Sequence, residues 1–509
     1  MSVNSIALFY GHVARNVGDV AINRGQLNLL KSAYPQATID IVLLDAKNSF
    51  HLESSMSSFG PQVSGRVIMV ATEVADADEY AVDPARWLET CEVEDADLIV
   101  LAAGEHLFSY AGHPNERNLF WRTLPAFAAI QAGRRCLLMP STFGPYETDD
   151  AEALFAQLLQ SHVRIAARDT QSAEILNSLG PRVPVDTALD PAFFLDAPKR
   201  PREGTEPRSI ALVMRSPTWG LRLGVSGRSA SIPRADKPED DVAFQFSLAL
   251  CEKLLAESKL EITMIIQTEV DRPIVEAVEK ALGDNPESAR FKPVTVYSID
   301  DYLEVLSEVD CLVASRFHAL ILGMVCGKPG FGLYFDSHGH KIPGMMALLE
   351  RLTDCANLSQ VPPAEAVELA YAHCTAPPRF EQIGRRIDVL RKETLDWVGA
   401  ACAPSESDDV ATAAPYALFK LAALMMKREL VRVTTRLADA PSCEDYNRAR
   451  YDLEKATKLN VALRQRIECL TQQAAELQQR IESSPYHRLR RLLATICGSA
   501  VDLFGSRKR

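Results

Sequence analysis

Arg316 and His318 stand two residues apart in DCLVASRFHALILGMVCGKPGFGLYFDSHGHK, the segment from Asp310 to Lys341. The run Asp310–Ser315 before them reads as a short buried strand. The apolar stretch Ala319–Cys326 after them reads as a helix closed by Gly327, with Pro329 beyond it as a stop. A cation and a titratable imidazole therefore flank Phe317 at the mouth of a helix, where free backbone N–H groups favour an anion. A guanidinium holds phosphate or carboxylate through two parallel N–H groups and stays charged. An imidazole, with an ordinary pKa near ~6.5, gives and takes protons at neutral pH. A helix cap and a surface ion pair would use the same residue types, so the rest of the chain has to decide.

Other candidates fall at corresponding places. Arg215 ends the apolar run Ile210–Met214, and Tyr334, Asp336 and Lys341 follow the run Gly330–Phe335. In the first half, Asn16, Gly18 and Asp19 lie between a strand and a helix beginning near Ala21. Gly18 suits a tight turn close to a ligand, and Asp19 could cap the helix or accept a proton from a hydroxyl. Gly104, Glu105 and His106 form a similarly placed turn, in which His106 is a ligand or a satisfied loop side chain. Thr142-Phe143-Gly144-Pro145 closes another strand with a turn that could approach the same crevice, and Arg168-Asp169 reads as an adjacent structural ion pair.

These residues need a frame. Ile6–Tyr10, Ile39–Leu44, Val67–Val70, Leu98–Ala102, Cys136–Pro140 and Arg164–Ala167 are apolar runs separated by helical patterns such as Ala21–Ala33, Leu119–Gln131 and Ala151–Leu159. A second set follows: Ile210–Met214, Ile262–Gln267, Val294–Tyr297, Cys311–Ser315 and Gly330–Phe335. The alternation predicts βα units on mainly parallel sheets, hence an α/β fold of two Rossmann-like domains facing a cleft. Ligands of such sheets bind outside the carboxyl ends of the strands, where every candidate above lies. The expected boundaries are a first domain over 1–197, a linker at 198–208, a second domain over 209–400, a linker at 401–415 and a helical tail over 416–509. Thr218–Asp241 reads as a mobile loop beside the cleft, and Phe380–Trp397 as a helix closing back onto the first domain.

In the tail, Leu459, Leu463, Ile467, Leu470, Ala474, Leu477 and Ile481 recur at intervals of three and four, the pattern of a short coiled-coil seam for a second copy or a partner. Arg488, Arg490, Arg491, Arg507, Lys508 and Arg509 surround an apolar stripe that can lie on an anionic membrane surface or be an ordinary terminal helix.

The net charge of −12 argues against a nucleic-acid binder. The Cys residues form no C-x-x-C pair, so neither a zinc site nor a disulfide framework is expected. No run approaches the ~20 apolar residues that span a bilayer, and the first residues lack the basic start of a signal peptide. A cytoplasmic protein, peripheral at most to the inner face of the membrane, is expected. Neither a Walker A sequence nor a convincing G-x-G-x-x-G is present, so ATP and NAD chemistry have no support.

In order, NVGD, ADLIVLAAGE, FGP, RIAARDTQSAEILNSLG, DPAFFL and above all SRFHALILGMVCGKP resemble the polysaccharide pyruvyl transferase family, from about Ile6 to Asp336. That family is similar to two-domain glycosyltransferases of the GT-B type. It moves pyruvate from phosphoenolpyruvate to a sugar, usually as a cyclic ketal, and releases phosphate. The resemblance implies that Arg215 and Arg316 hold the donor, that His318 is the catalytic acid/base, and that Asp19 acts on the acceptor side. It implies a saccharide acceptor, which can be lipid-linked, and no cofactor beyond the donor substrate. Many members carry a glycine run where this chain has Ala102-Ala103-Gly104-Glu105, which changes how closely backbone can approach a ligand. The tail SSPYHRLRRLL looks like modules on bacterial surface-glycan glycosyltransferases, which associates the chain with exopolysaccharide assembly. A GT-B glycosyltransferase using a nucleotide sugar is the alternative, and a non-catalytic scaffold a further one.

Overall fold

The computed structural model describes residues 3–10, 16–44, 59, 63–72, 76–105, 107–110, 115–198, 206–215, 237–283, 285–336, 340–402, 416–438, 450–454, 457, 461 and 465. They fall into two compact units, one within Met1–Thr72 and Asp83–Ala411, the other within Glu73–Val82 and Thr412–Arg509.

The first unit holds two parallel sheets. One is built from β1 (Ser5–Phe9), β2 (Thr38–Leu44), β3 (Val67–Val70), β4 (Leu98–Leu101), β6 (Arg135–Ser141), β8 (Arg164–Ala167) and β9 (Asp186–Thr187), in the order β3-β2-β1-β4-β6-β8-β9. A separate two-stranded pair joins β5 (Leu107–Ser109) to β7 (Phe143–Tyr146). The other large sheet uses β10 (Ser209–Val213), β11 (Glu261–Ile266), β12 (Phe291–Thr295), β13 (Cys311–Ala314), β14 (Gly330–Tyr334) and β15 (Cys355–Asn357), in the order β12-β11-β10-β13-β14-β15. In each sheet the first strand in sequence lies in the middle, and the chain winds outward first to one side and then to the other. That is the Rossmann order, with a topological switch point between β1 and β4 and another between β10 and β13. The two Rossmann-like halves expected from the sequence are present.

Both faces of the second sheet are covered by apolar side chains, as a fully parallel sheet requires. The core on one of these faces also includes Val17, Ala21, Leu189, Ala192 and Phe193 of the first half. The halves are thus joined by continuous packing. The helix Phe380–Gly399 reinforces the joint, as the sequence suggests. Thr394 Oγ1 accepts from Leu189 N at 2.9 Å, Arg391 Nε donates to Phe193 O at 2.9 Å, and Tyr34 Oη donates to Val398 O at 2.6 Å.

Several element boundaries correct the expectations. The first helix runs Val17–Ala33, starting four residues before Ala21, and the helix after β13 runs Phe317–Val325 where Ala319–Cys326 was expected. Strand β12 begins at Phe291, three residues before the expected Val294, because exposed Lys292 and Pro293 interrupt the apolar run on this edge strand. Of the expected loop Thr218–Asp241, residues up to 236 lie outside the described residues. Pro238–Asp240 is a 3₁₀ turn, and the Asp241 carboxylate caps the helix Val242–Glu257 by accepting from Ala243 N.

The second unit contains the helices Ala77–Val82 and Tyr416–Ala438, which pack on each other. Ala417, Leu418, Leu421, Ala422, Met425 and Met426 form a buried stripe repeating every four residues. Residues 450–454 are helical. The expected seam from Leu459 to Ile481 and the basic tail lie outside the described residues. Among those described, no helix is long and apolar enough to cross a membrane.

One buried histidine makes the fold acid-sensitive. His373, on the helix Pro363–Thr375, is 7% exposed, and burial pushes its pKa down to about 4 against the pull of Asp354. Its folded pKa lies below the unfolded ~6.5, so between these values the unfolded chain binds more protons. Stability is then full above pH 6.5 and falls as the pH drops toward 4. Urea titrations at pH 7 and pH 5 should show a loss on the order of 1–2 kcal/mol from this residue. His373→Gln should flatten that slope, and an unchanged slope would remove His373 from the account.

Candidate functional site

The two switch points face one another across a cleft of about 290 Å³. After β1 come Asn16 and Asp19, and after β4 comes Glu105; opposite them, Arg215 follows β10, and Ser315 and Arg316 follow β13. Arg215 N donates to Ser315 Oγ at 2.8 Å, which ties the two strand ends together. Tyr334, at the end of β14, and Lys341, in the first turn of the helix Lys341–Leu348, complete this wall with His318. Of the expected site residues, Asn16, Asp19, Arg215, Arg316, His318, Glu105, Tyr334 and Lys341 all line the cleft. His106 lies outside the described residues. Asp336 turns away, its Oδ1 accepting from Asn357 Nδ2 at 2.7 Å and Gln360 Nε2 at 3.1 Å.

His318 is held between the halves. Arg316 is the N-cap residue in extended conformation, which puts Phe317 and His318 in the first helical turn. The imidazole Nε2 is buried and lies 3.7 Å from Asp190 Oδ2. On its other side it packs against Gly18, where an added Cβ would fall 2.4 Å from Nδ1. Gly18 therefore has a different use from the one expected: it sits inside a helix and leaves room for the imidazole. Nor does Asp19 cap that helix. Asn16 does, its Oδ1 accepting from Gly18 N at 3.1 Å.

Asp190, from the DPAFFL segment, is almost fully buried. Its Oδ1 accepts from Ala192 N at 2.8 Å, and its Oδ2 accepts from Arg168 Nη1 at 2.6 Å. Burial pushes its carboxyl up, but Arg168, His318 and the Ala192 N–H outweigh this and hold the pKa at about 2. Arg168 lines the cleft, with its guanidinium carbon 4.7 Å from the centre of the Phe317 ring and Nε donating to Thr142 Oγ1 at 2.9 Å. The expected Arg168–Asp169 ion pair is replaced by two longer-range arrangements: Arg168 pairs with Asp190, while Asp169 Oδ1 caps the next helix by accepting from Ser172 N.

Arg316 is also held from behind. It pairs with Asp271, which is fully buried, and its Nη2 donates to Thr268 Oγ1 at 2.8 Å. Lys341 Nζ donates to Glu105 Oε2 at 2.6 Å, from one half to the other. Burial pushes the Lys341 pKa down, and Glu105 opposes this. Gln267, at the carboxyl end of β11, receives the Tyr302 hydroxyl at 3.2 Å and donates to Asn16 Oδ1 at 3.2 Å. Its amide is thereby oriented by a donor from the second half and an acceptor from the first. Arg122 reaches the cleft from the helix Glu116–Gln131 and donates to Tyr10 O at 3.2 Å. Burial lowers its pKa to about 10, with Tyr10 and Asp19 opposing.

The altered glycine turn has a structural reason. Ala103 N donates to Gln26 Oε1 at 3.4 Å, Gly104 N donates to Ser141 Oγ at 3.2 Å, and Gly104 O accepts from Thr142 N at 3.0 Å. These peptide groups are used within the protein, and the Glu105 side chain is what this turn presents to the cleft.

Arg122, Arg168 and Gln267 are cleft residues that the sequence reading did not select, and Asp190 and Asp271 are supports that it did not name. Arg168 and Gln267 do end strand-like runs on the carboxyl edge, which is the signal that could have found them. Arg122 is a half-buried cation on a helix whose buried residues are mostly apolar.

Fold and cleft together define a two-lobed α/β protein with a cationic crevice at the strand ends of both sheets. The polysaccharide pyruvyl transferase family model matches residues 16–337, and the chain belongs to this family, a family of transferases acting on polysaccharide. No curated protein matches the sequence. Solved structures similar to the chain include the E. coli ADP-heptose LPS heptosyltransferase II, at 12% identity and TM-score 0.35, over 76% of this chain and 99% of that one. The UDP-GlcNAc 2-epimerase from Neisseria meningitidis is similar at 10% identity and TM-score 0.46, over 77% and 99%. A glycosyltransferase from Rickettsia africae is similar at 8% identity and TM-score 0.44, over 78% and 94%.

Proposed function

We propose that this chain transfers pyruvate from phosphoenolpyruvate to two hydroxyls of a sugar, forming a cyclic ketal and releasing phosphate. The observation that carries this reading is the convergence of Arg168, Arg215, Arg316 and Lys341 around His318 at the facing switch points. Phosphoenolpyruvate carries a phosphate and a carboxylate on adjacent groups, and guanidinium forks suit both. Arg215 and Arg316 bind the donor. His318 delivers a proton to the methylene carbon while the first sugar hydroxyl attacks the carbon bearing the phosphate. The second hydroxyl then displaces phosphate. The methyl group and the departing hydrogen phosphate take up the two hydroxyl protons, so the exchange balances without a further reactant. Asp19 faces the acceptor, which on this reading is a sugar of a bacterial surface or exopolysaccharide.

Calorimetry with phosphoenolpyruvate tests the donor. Wild type should bind, and Arg215→Ala should bind ~10–100-fold more weakly, the worth of one or two charge-assisted hydrogen bonds. Arg215 is the better variant than Arg316, whose removal would also strand buried Asp271. Binding of a uridine nucleotide with no response to phosphoenolpyruvate would move the protein to the nucleotide-sugar glycosyltransferases.

A further inference from the structure

We propose that Asp190 is a positioning residue that fixes His318 as the Nε2–H tautomer, leaving Nδ1 as the nitrogen that exchanges the proton. The geometry is one-sided. Nε2 is buried and faces Asp190 Oδ2 at 3.7 Å, while 15% of the His318 side chain remains exposed, so the accessible part of the ring lies away from Nε2. At 3.7 Å no hydrogen bond is made, but an ionised carboxylate can only accept, so its charge favours the hydrogen on the nitrogen that faces it. Asp190 cannot swing away: Ala192 N holds Oδ1, Arg168 Nη1 holds Oδ2, and the side chain is 1% exposed. On the far side of the ring, Gly18 packs where any added Cβ would collide with Nδ1, so the ring sits in a slot that glycine keeps open.

The imidazole also stands in the first turn of the helix Phe317–Val325. In pyruvyl transfer, Nδ1–H would deliver its proton to the methylene carbon, leaving neutral His318 with hydrogen on Nε2 beside Asp190. The proton of a sugar hydroxyl then returns to Nδ1. The role given to Nδ1 rests on the proposed function; the tautomer does not.

Nitrogen-15 spectra of uniformly labelled protein read the tautomer directly, with His318 assigned by the resonance that His318→Ala removes. At a pH where His318 is neutral, the expected spectrum has a protonated Nε2 and a lone-pair Nδ1. In Asp190→Asn the amide can donate or accept, so the preference should be lost. Turnover should then fall on the order of 10²-fold, with the KM for phosphoenolpyruvate within about threefold, since Arg215 and Arg316, assigned to the donor, are unchanged, and Arg168, which Asp190 pairs, is not assigned to it. A Nδ1–H tautomer in wild type, or a folded Asp190→Asn with wild-type turnover, would overturn the proposal. Should Asp190→Asn not fold, the wild-type spectrum decides alone. Wild type with the Nε2–H tautomer but no turnover of phosphoenolpyruvate would leave the tautomer standing and sink the pyruvyl-transfer reading.

Discussion

His318→Ala should lower pyruvyl transfer about 10³–10⁴-fold while phosphoenolpyruvate binding stays within a few fold. Among the described lining residues His318 is the cleft's imidazole; of the cations that would hold the donor, Arg215 comes from another strand end, and Arg316, although two residues away, is anchored separately by Asp271. Removing it takes away proton transfer without taking away the anion site. The fold should tolerate the change. Alanine is favourable in a first helical turn, and Asp190 keeps Arg168 as its partner, so no buried charge is left alone. Phosphate release from phosphoenolpyruvate with a sugar acceptor gives the turnover, and calorimetry gives the binding. Equal losses in both would mean that His318 holds the donor and does no proton chemistry. Undiminished turnover would assign the proton to another group.

The strands that could be read from the sequence are those carried by an uninterrupted apolar run. Arg164–Ala167, largely buried, is found at its expected bounds, as a parallel strand under two layers of helix requires. So is Val67–Val70, which lies at the sheet edge with Met69 exposed but keeps its apolar run unbroken. What escaped did so for physical reasons. The pair Leu107–Ser109 and Phe143–Tyr146 contains Gly144 and Pro145, which read as a turn. The two helices at the cleft begin earlier than their apolar periodicity does, because their first turns carry Gly18, Asp19 and His318. Site residues at a helix N-terminus break the pattern that locates the helix. The Arg316–His318 core of the site was legible because strand, cation, imidazole and helix are contiguous. Asp190 and Asp271 were not, since each supports a residue far away in the chain: Arg168 from 22 residues on, and Arg316 from 45 residues before. Adjacency misled at Arg168-Asp169 as well. Neighbouring residues at a strand end point to opposite sides, so the two charges serve different partners.

Arg168→Met should destabilise the protein by ~3–5 kcal/mol, more than a surface cation could. The Arg168–Asp190 pair is 1% exposed on both sides at 2.6 Å, and loss of the guanidinium strands a carboxylate in the interior. The pH dependence makes this distinguishable from lost packing. In wild type the Asp190 pKa is about 2, below the unfolded ~3.9, so its contribution is full above pH 3.9 and is lost as pH falls toward 2. Without Arg168, burial acts against His318 and the Ala192 N–H alone and should raise the folded pKa above ~3.9. The folded variant then binds the extra proton, and acid stabilises it relative to its unfolded chain. The deficit against wild type should therefore shrink as urea titrations move from pH 7 to pH 5. Arg168→Met combined with Asp190→Asn should cost less than the sum of the single changes, because no charge is left behind. A deficit that is constant with pH, and additive in the double variant, would mean that Arg168 contributes through its packing on Phe317 and that the buried ion pair is incidental to stability.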